Sequence, residues 1–172
     1  MERTEIQKLL DGQRKFFLTG KTLPTAYRRE ALKKLLKAVD DNETLLAEAL
    51  YSDLGKSRQE SYMCEIGLVK SEIGYMLRHL RSFAKEHRVH TPLAQTLSWS
   101  FVKPSPYGNV LIMSPWNYPV LLTLEPLTDA LAAGNTAIVK PSAYSPAVSD
   151  VLEKLISDCF PKEYVAVVKG GR

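Results

Sequence analysis

Two stretches concentrate the side chains able to do chemistry. Met113-Ser-Pro-Trp-Asn-Tyr-Pro119 carries an indole and an amide, and Ala133-Gly-Asn-Thr-Ala-Ile-Val-Lys-Pro-Ser142 ends on a lysine and a serine. The indole, the amide and the lysine fall on loops that follow short apolar runs read as strands, Val110 to Met113 and Thr136 to Val139. In an open α/β sheet, ligands bind outside the carboxyl ends of the strands, so these loops would face a cofactor. Asn117 lies between Pro115 and Pro119, which fix the backbone around it. An uncharged amide there can donate to a developing oxyanion without giving up a proton. A helix beginning near Pro119 offers Asn117 a different task, as its N-cap. Lys140 ends a strand and precedes a proline. It can reach a ligand, or only carry its ammonium to water along an apolar stem.

The elements that must position these loops fall into two halves. Helices dominate residues 1–97. Ile6, Leu9, Leu10, Phe16 and Phe17 form one apolar stripe that Gly20 closes. Thr25 is placed to cap a second helix through Tyr27, Leu32, Leu35, Leu36 and Val39, and Asp41 or Asn42 a third that ends at Gly55. In the fourth, Tyr62, Ile66, Val69, Ile73, Met76, Leu80 and Phe83 recur at alternating steps of four and three. That seam suits a coiled coil or packing within a domain. Gly67 and Gly74 favour the second, since each costs about 1 kcal/mol in a helix interior and their shared stripe would admit a closely approaching element.

After Pro92 the period changes. Trp99 and Phe101 alternate with polar neighbours as in a strand, and Pro104-Ser-Pro-Tyr-Gly-Asn109 is a turn. Strand, helix, strand, helix, strand then follow: Val110 to Met113, a helix with Pro119 at its first position and Gly134 at its end, Thr136 to Val139, a helix from about Pro146 to Asp158, and Tyr164 to Val168. Continuously apolar strands alternating with helices imply a parallel sheet covered on both faces. The expected class is α/β: N-terminal helices, then the first βαβαβ part of a Rossmann-like sheet. The chain stops at Gly170-Gly171-Arg172, with half of such a sheet unwritten.

Composition excludes several functions. The chain is 45 % hydrophobic and 24 % charged, as in ordinary globular proteins. A net charge of +4 without a basic, aromatic-interleaved tract does not point to nucleic acid. Its densest basic stretch, Arg78 to Arg88, reads as a solvated helix face. Cys64 and Cys159 form no CxxC pair and fall on apolar helix faces as buried hydrophobes, so neither a disulfide nor a metal site is expected. The N-terminus lacks an apolar leader and no run is long enough to span a membrane, which makes the cytosol the simplest compartment.

The loops lack the glycine fingerprint of dinucleotide folds. Their own chemistry is more specific. Pro106-Tyr-Gly108, Pro115-Trp-Asn-Tyr-Pro119, Ala132-Ala-Gly-Asn135 and Lys140-Pro-Ser142 together resemble the aldehyde dehydrogenase superfamily. Asp53-Leu-Gly-Lys-Ser57 and Glu65-Ile-Gly67 look like the N-terminal helices of its class 3 branch, which handles fatty and aromatic aldehydes.

The resemblance implies a truncated aldehyde dehydrogenase fold and NAD- or NADP-dependent oxidation of aldehydes to carboxylic acids. It makes Asn117 the oxyanion-holding amide, and lines the cofactor with Met113, Ser114, Pro115, Trp116, Lys140, Ser142 and Ala143. Residues 98–108 match part of the arm through which subunits pair, so the complete enzyme is expected to be a homodimer. Residues 109–172 match the first half of the cofactor-binding sheet. The family's glutamate after Lys-Pro-Ser is here Ala143. Neither cysteine matches the family's nucleophile, and nucleophile and glutamate base are both expected beyond residue 172. The chain alone is therefore expected to be inactive. The alternative is a non-catalytic relative that binds a full-length protein through its subunit-contact surface.

Overall fold

The computed structural model describes residues 3–171. Three parallel strands, β3 (Asn109–Met113), β4 (Thr136–Lys140) and β5 (Val165–Val167), lie in the order β3-β4-β5. Met113 pairs with Lys140, so the two chemistry-bearing loops leave adjacent strands at the same level. The Ser114 N–H donates to the Lys140 carbonyl at 3.1 Å and extends the pairing one residue into the loop.

Crossover helices α6 (Leu121–Ala133) and α7 (Pro146–Cys159) join the strands. Beside them pack α2 (Thr25–Asp41), α3 (Glu43–Leu54) and α5 (Gly67–Phe83). Leu124, Leu127 and Leu131 of α6 are fully buried among Leu32, Leu35, Ile73 and Leu80. Each such leucine contributes about 1.5–3 kcal/mol of hydrophobic stabilisation. The heptad seam is thus spent within the domain. α1 (Arg3–Leu18) closes the amino edge of the sheet. The buried Gln13 amide donates to the carbonyls of Ala137 at 2.9 Å and Lys162 at 3.1 Å. Leu111 and Met113 of β3 remain exposed.

Several local expectations change. α2 begins at Thr25 itself, with Pro24 in the cap position, so Thr25 is not the cap. Asn42 sits at the start of α3 but makes no side-chain cap there; its amide donates back to the Ala38 carbonyl at 2.8 Å and closes α2. α6 starts at Leu121, two residues after Pro119.

The fourth helix is continuous but not uniformly α-helical. A short α4 (Arg58–Ser61) passes through one wider π-helical turn, Tyr62–Ile66, before α5 begins. An extra residue in the turn offsets what precedes it by about 100° around the axis, which leaves Tyr62 exposed while Ile66 is fully buried. Gly67 serves this turn and not a neighbouring element: a Cβ there would lie 2.9 Å from the Tyr62 carbonyl oxygen. Gly74 faces only the Arg78 side chain.

The basic stretch is not one helix face. α5 ends at Phe83, and β1 (His87–Val89) pairs antiparallel with β2 (Ser100–Val102). The strand expected around Phe101 therefore exists, with a partner inside the stretch read as helical. Arg88 stacks on Trp99, 4.2 Å from the ring centroid. Both cysteines are half-buried, not fully buried. Burial first, then Asp158, pushes the Cys159 thiol above its ordinary range. No helix among the described residues is long and apolar enough to cross a membrane.

Candidate functional site

The amino end of α6 forms the floor of the site, and it is capped from a distance. The first amides of a helix have no partner within it. Those of Val120 and Leu121 donate to one oxygen of Glu65, at 2.8 and 3.1 Å. Glu65 is fully buried in the π turn, and its other oxygen accepts from the Lys56 ammonium at 2.5 Å. A buried carboxylate is tolerable only when paired and hydrogen-bonded, and the ammonium and two amides meet that need. Its charge also suits the positive end of the helix dipole.

The motif around Lys56 does the same for α7. Asp53 accepts from the amides of Ala147 at 3.2 Å and Val148 at 2.8 Å. Gly55 takes the left-handed conformation that ends α3, and the Ser57 hydroxyl caps α4 through the Glu60 amide at 3.1 Å. Both crossover helices are thus held by carboxylates from the N-terminal half. In the sequence these residues show only as a motif, because the amides they satisfy lie 55 and 95 residues away.

With Glu65 as the cap of α6, Asn117 is not needed for it. Asn117 is exposed, and its amide has no hydrogen-bond partner among the described residues. Next to it, Tyr118 has φ of 52°, uncommon for a residue with a side chain. The Lys56 ammonium sits 4.0 Å from the centroid of the Tyr118 ring, a cation–π distance. Met113, Pro115 and Trp116 are exposed along the same loop, while the Ser114 hydroxyl is buried without a partner.

On the neighbouring strand end, the Lys140 ammonium donates to the Gly170 carbonyl at 3.0 Å, reaching the segment after β5. Ser142 is turned inward: its hydroxyl accepts from the Tyr144 amide at 3.1 Å and its carbonyl accepts from the Ser149 hydroxyl at 2.8 Å. Ala143 is exposed beside it. No cluster of three or more potential metal ligands occurs among the described residues.

A three-stranded parallel sheet with a polar loop cluster at its carboxyl edge defines a Rossmann-like α/β protein. The chain belongs to the aldehyde dehydrogenase family, whose model matches residues 1–172. It is 44 % identical over 165 residues to 4,4'-diaponeurosporen-aldehyde dehydrogenase of Staphylococcus aureus, covering 96 % of this chain and 36 % of that protein. It is 42 % identical to aldehyde dehydrogenase family 3 member B1 of Bos taurus, covering 94 % of this chain and 35 % of that one. A solved substrate-bound state of Staphylococcus aureus AldH superposes with a TM-score of 0.94 at 43 % identity, over 96 % of this chain and 36 % of that one. The chain thus spans about a third of the length of these relatives.

Proposed function

We propose that this chain is the N-terminal third of an NAD(P)-dependent aldehyde dehydrogenase that oxidises aldehydes to carboxylic acids. Its direct contribution to the chemistry is the side-chain amide of Asn117. The observation that carries this is the division of labour at α6: Glu65 satisfies the helix amides, which leaves the Asn117 amide exposed and unpartnered at the carboxyl edge of the sheet. A donor already placed by its backbone costs little reorganisation as charge develops on the aldehyde oxygen.

Met113, Ser114, Pro115, Trp116, Lys140, Ser142 and Ala143 are proposed to line the cofactor. An exposed thioether and indole, a buried hydroxyl without partner and a nearby ammonium form a set that fits a dinucleotide. Bound nicotinamide would supply the hydride acceptor. Lys140 would bond the ribose through its ammonium. Ser142, with its hydroxyl turned into its own loop, would act by shaping that loop.

The thiol nucleophile and general base match no residue of this segment, so the segment by itself should not turn over aldehyde. Cys159, whose thiol is pushed further above its ordinary range by desolvation and Asp158, is unsuited to the task. The exposed strands β1 and β2 are proposed as part of a subunit-pairing arm in a cytosolic homodimer. Turnover by the isolated chain that survives alanine replacement of both cysteines would overturn the placement of the nucleophile and base outside this segment.

The direct test uses the complete enzyme, the polypeptide joining this segment to one bearing the thiol and base. Asn117→Ala should lower kcat by the equivalent of about 2.7–4 kcal/mol with cofactor affinity little changed. A loss of stability with kcat intact would reduce Asn117 to a structural residue.

A further inference from the structure

We propose that Glu65, together with Lys56, is a positioning residue for Asn117, an inference that rests on the oxyanion role proposed above. Asn117 has no side-chain bond to hold it, so its place is set by the backbone on either side. Upstream, Pro115 restricts the loop and the Ser114 N–H is bonded to Lys140. Downstream, the chain is pinned at Val120 and Leu121 by the Glu65 carboxylate, three and four residues beyond Asn117. Between them, Tyr118 adopts its left-handed conformation under the Lys56 ammonium.

One ammonium therefore touches both restraints: it bonds the free oxygen of Glu65 and lies on the Tyr118 ring. Glu65 is fully buried, and the Lys56 side chain is only 12 % exposed. An ordinary N-cap would come from the residue just before the helix and would move with the loop. A cap borrowed from the π turn ties the loop to the packed helices. Misplacing a reacting contact by about 1 Å can cost on the order of 100-fold in rate, so a loosened anchor should be visible in kcat.

The test is a double-mutant cycle in the complete enzyme, read together with hydrogen exchange of residues 118–122. Glu65→Ala should lower kcat at least about tenfold, leave KM for aldehyde within about twofold, and speed exchange across that segment. Glu65→Gln keeps an acceptor oxygen for the two amides and should restore most of kcat. In an Asn117→Ala background, Glu65→Ala should have almost no further effect on kcat. If Glu65→Ala does not fold, Lys56→Met carries the same cycle, since it removes the ammonium from Tyr118 and leaves the carboxylate in place. Penalties that simply multiply in the double variant would show that Glu65 supports only the fold, as would faster exchange with unchanged kcat. An Asn117→Ala enzyme with full kcat would instead sink the oxyanion role, and this proposal with it.

Discussion

Asp53 accepts a hydrogen bond from the Val148 backbone amide at 2.8 Å, and through it the end of α3 holds the start of α7. The neighbouring Ala147 amide donates to the other oxygen of the same carboxylate. Ser145, the residue in the cap position, makes no side-chain bond to the helix and its hydroxyl is buried without a partner. Asp53→Ala should therefore destabilise by about 0.5–2 kcal/mol, the range for loss of an N-cap. Chemical denaturation of the complete enzyme would measure it. A midpoint identical to that of the parent would mean that water replaces the carboxylate without cost.

Gly134 ends α6 with φ of 92°, and a Cβ there would come within 2.8 Å of Arg28 Nε and 2.9 Å of the Thr22 carbonyl oxygen. The Arg28 guanidinium donates to the carbonyls of Thr22, Leu23 and Ala132, tying the carboxyl end of α6 to the loop before α2. Gly55 has φ of 67° but nothing within 4 Å of the same position. Gly55→Ala should cost only the left-handed backbone penalty, about 1–2 kcal/mol. Gly134→Ala should cost clearly more, since the guanidinium must also move. Equal losses in parallel thermal melts would show that Arg28 shifts freely.

Asp129 stands one helical turn after Glu125 on α6 and is exposed at the surface; partial desolvation by its neighbours first, then Glu72 and Glu125, raises its carboxyl above the ordinary carboxylate range. A carboxyl whose folded pKa is raised favours folding while protonated, and that contribution is lost as pH rises through the folded value. Once ionised, the group destabilises the folded chain relative to the unfolded one. Removing the like-charge pair through Asp129→Asn should stabilise by about 0.2–0.5 kcal/mol at pH 7. The advantage should shrink as the pH falls into the range where Asp129 takes up its proton. An advantage that grows on acidification would reverse the assigned sign.

The strands were legible because parallel strands covered by helices read as apolar runs, as Thr136 to Val139 do. So was the carboxyl-edge position of Asn117 and Lys140, which follows from strand order alone. What could not be read is non-local or polar. Glu65 looks like one more helix-surface charge until the fold brings Val120 and Leu121 to it. The His87–Val89 strand is exposed and has no period to betray it. Asn42 satisfies a cap signal for α3 yet spends its amide on α2, because a single side chain between two abutting helices can serve either. The seam from Tyr62 to Phe83 has helical spacing throughout, but spacing does not register the extra residue of a π turn.

Ala143 is exposed on the loop after β4, three residues beyond Lys140, whose ammonium bonds the Gly170 carbonyl at 3.0 Å. In the family resemblance this position carries a glutamate that would hold the ribose hydroxyls and repel a 2′-phosphate. Alanine does neither, while Lys140 remains to attract a phosphate through a partly exposed pair worth about 0.2–1 kcal/mol. The complete enzyme should therefore accept both NAD and NADP with weak discrimination. Ala143→Glu should shift the ratio of kcat/KM values toward NAD, because the new carboxylate gains charged hydrogen bonds to the diol worth about 1.5–3 kcal/mol and opposes the phosphate. Steady-state kinetics with both cofactors at fixed aldehyde would read the shift directly. An unchanged ratio would mean that position 143 does not face the ribose, and that Lys140 alone sets what this loop can distinguish.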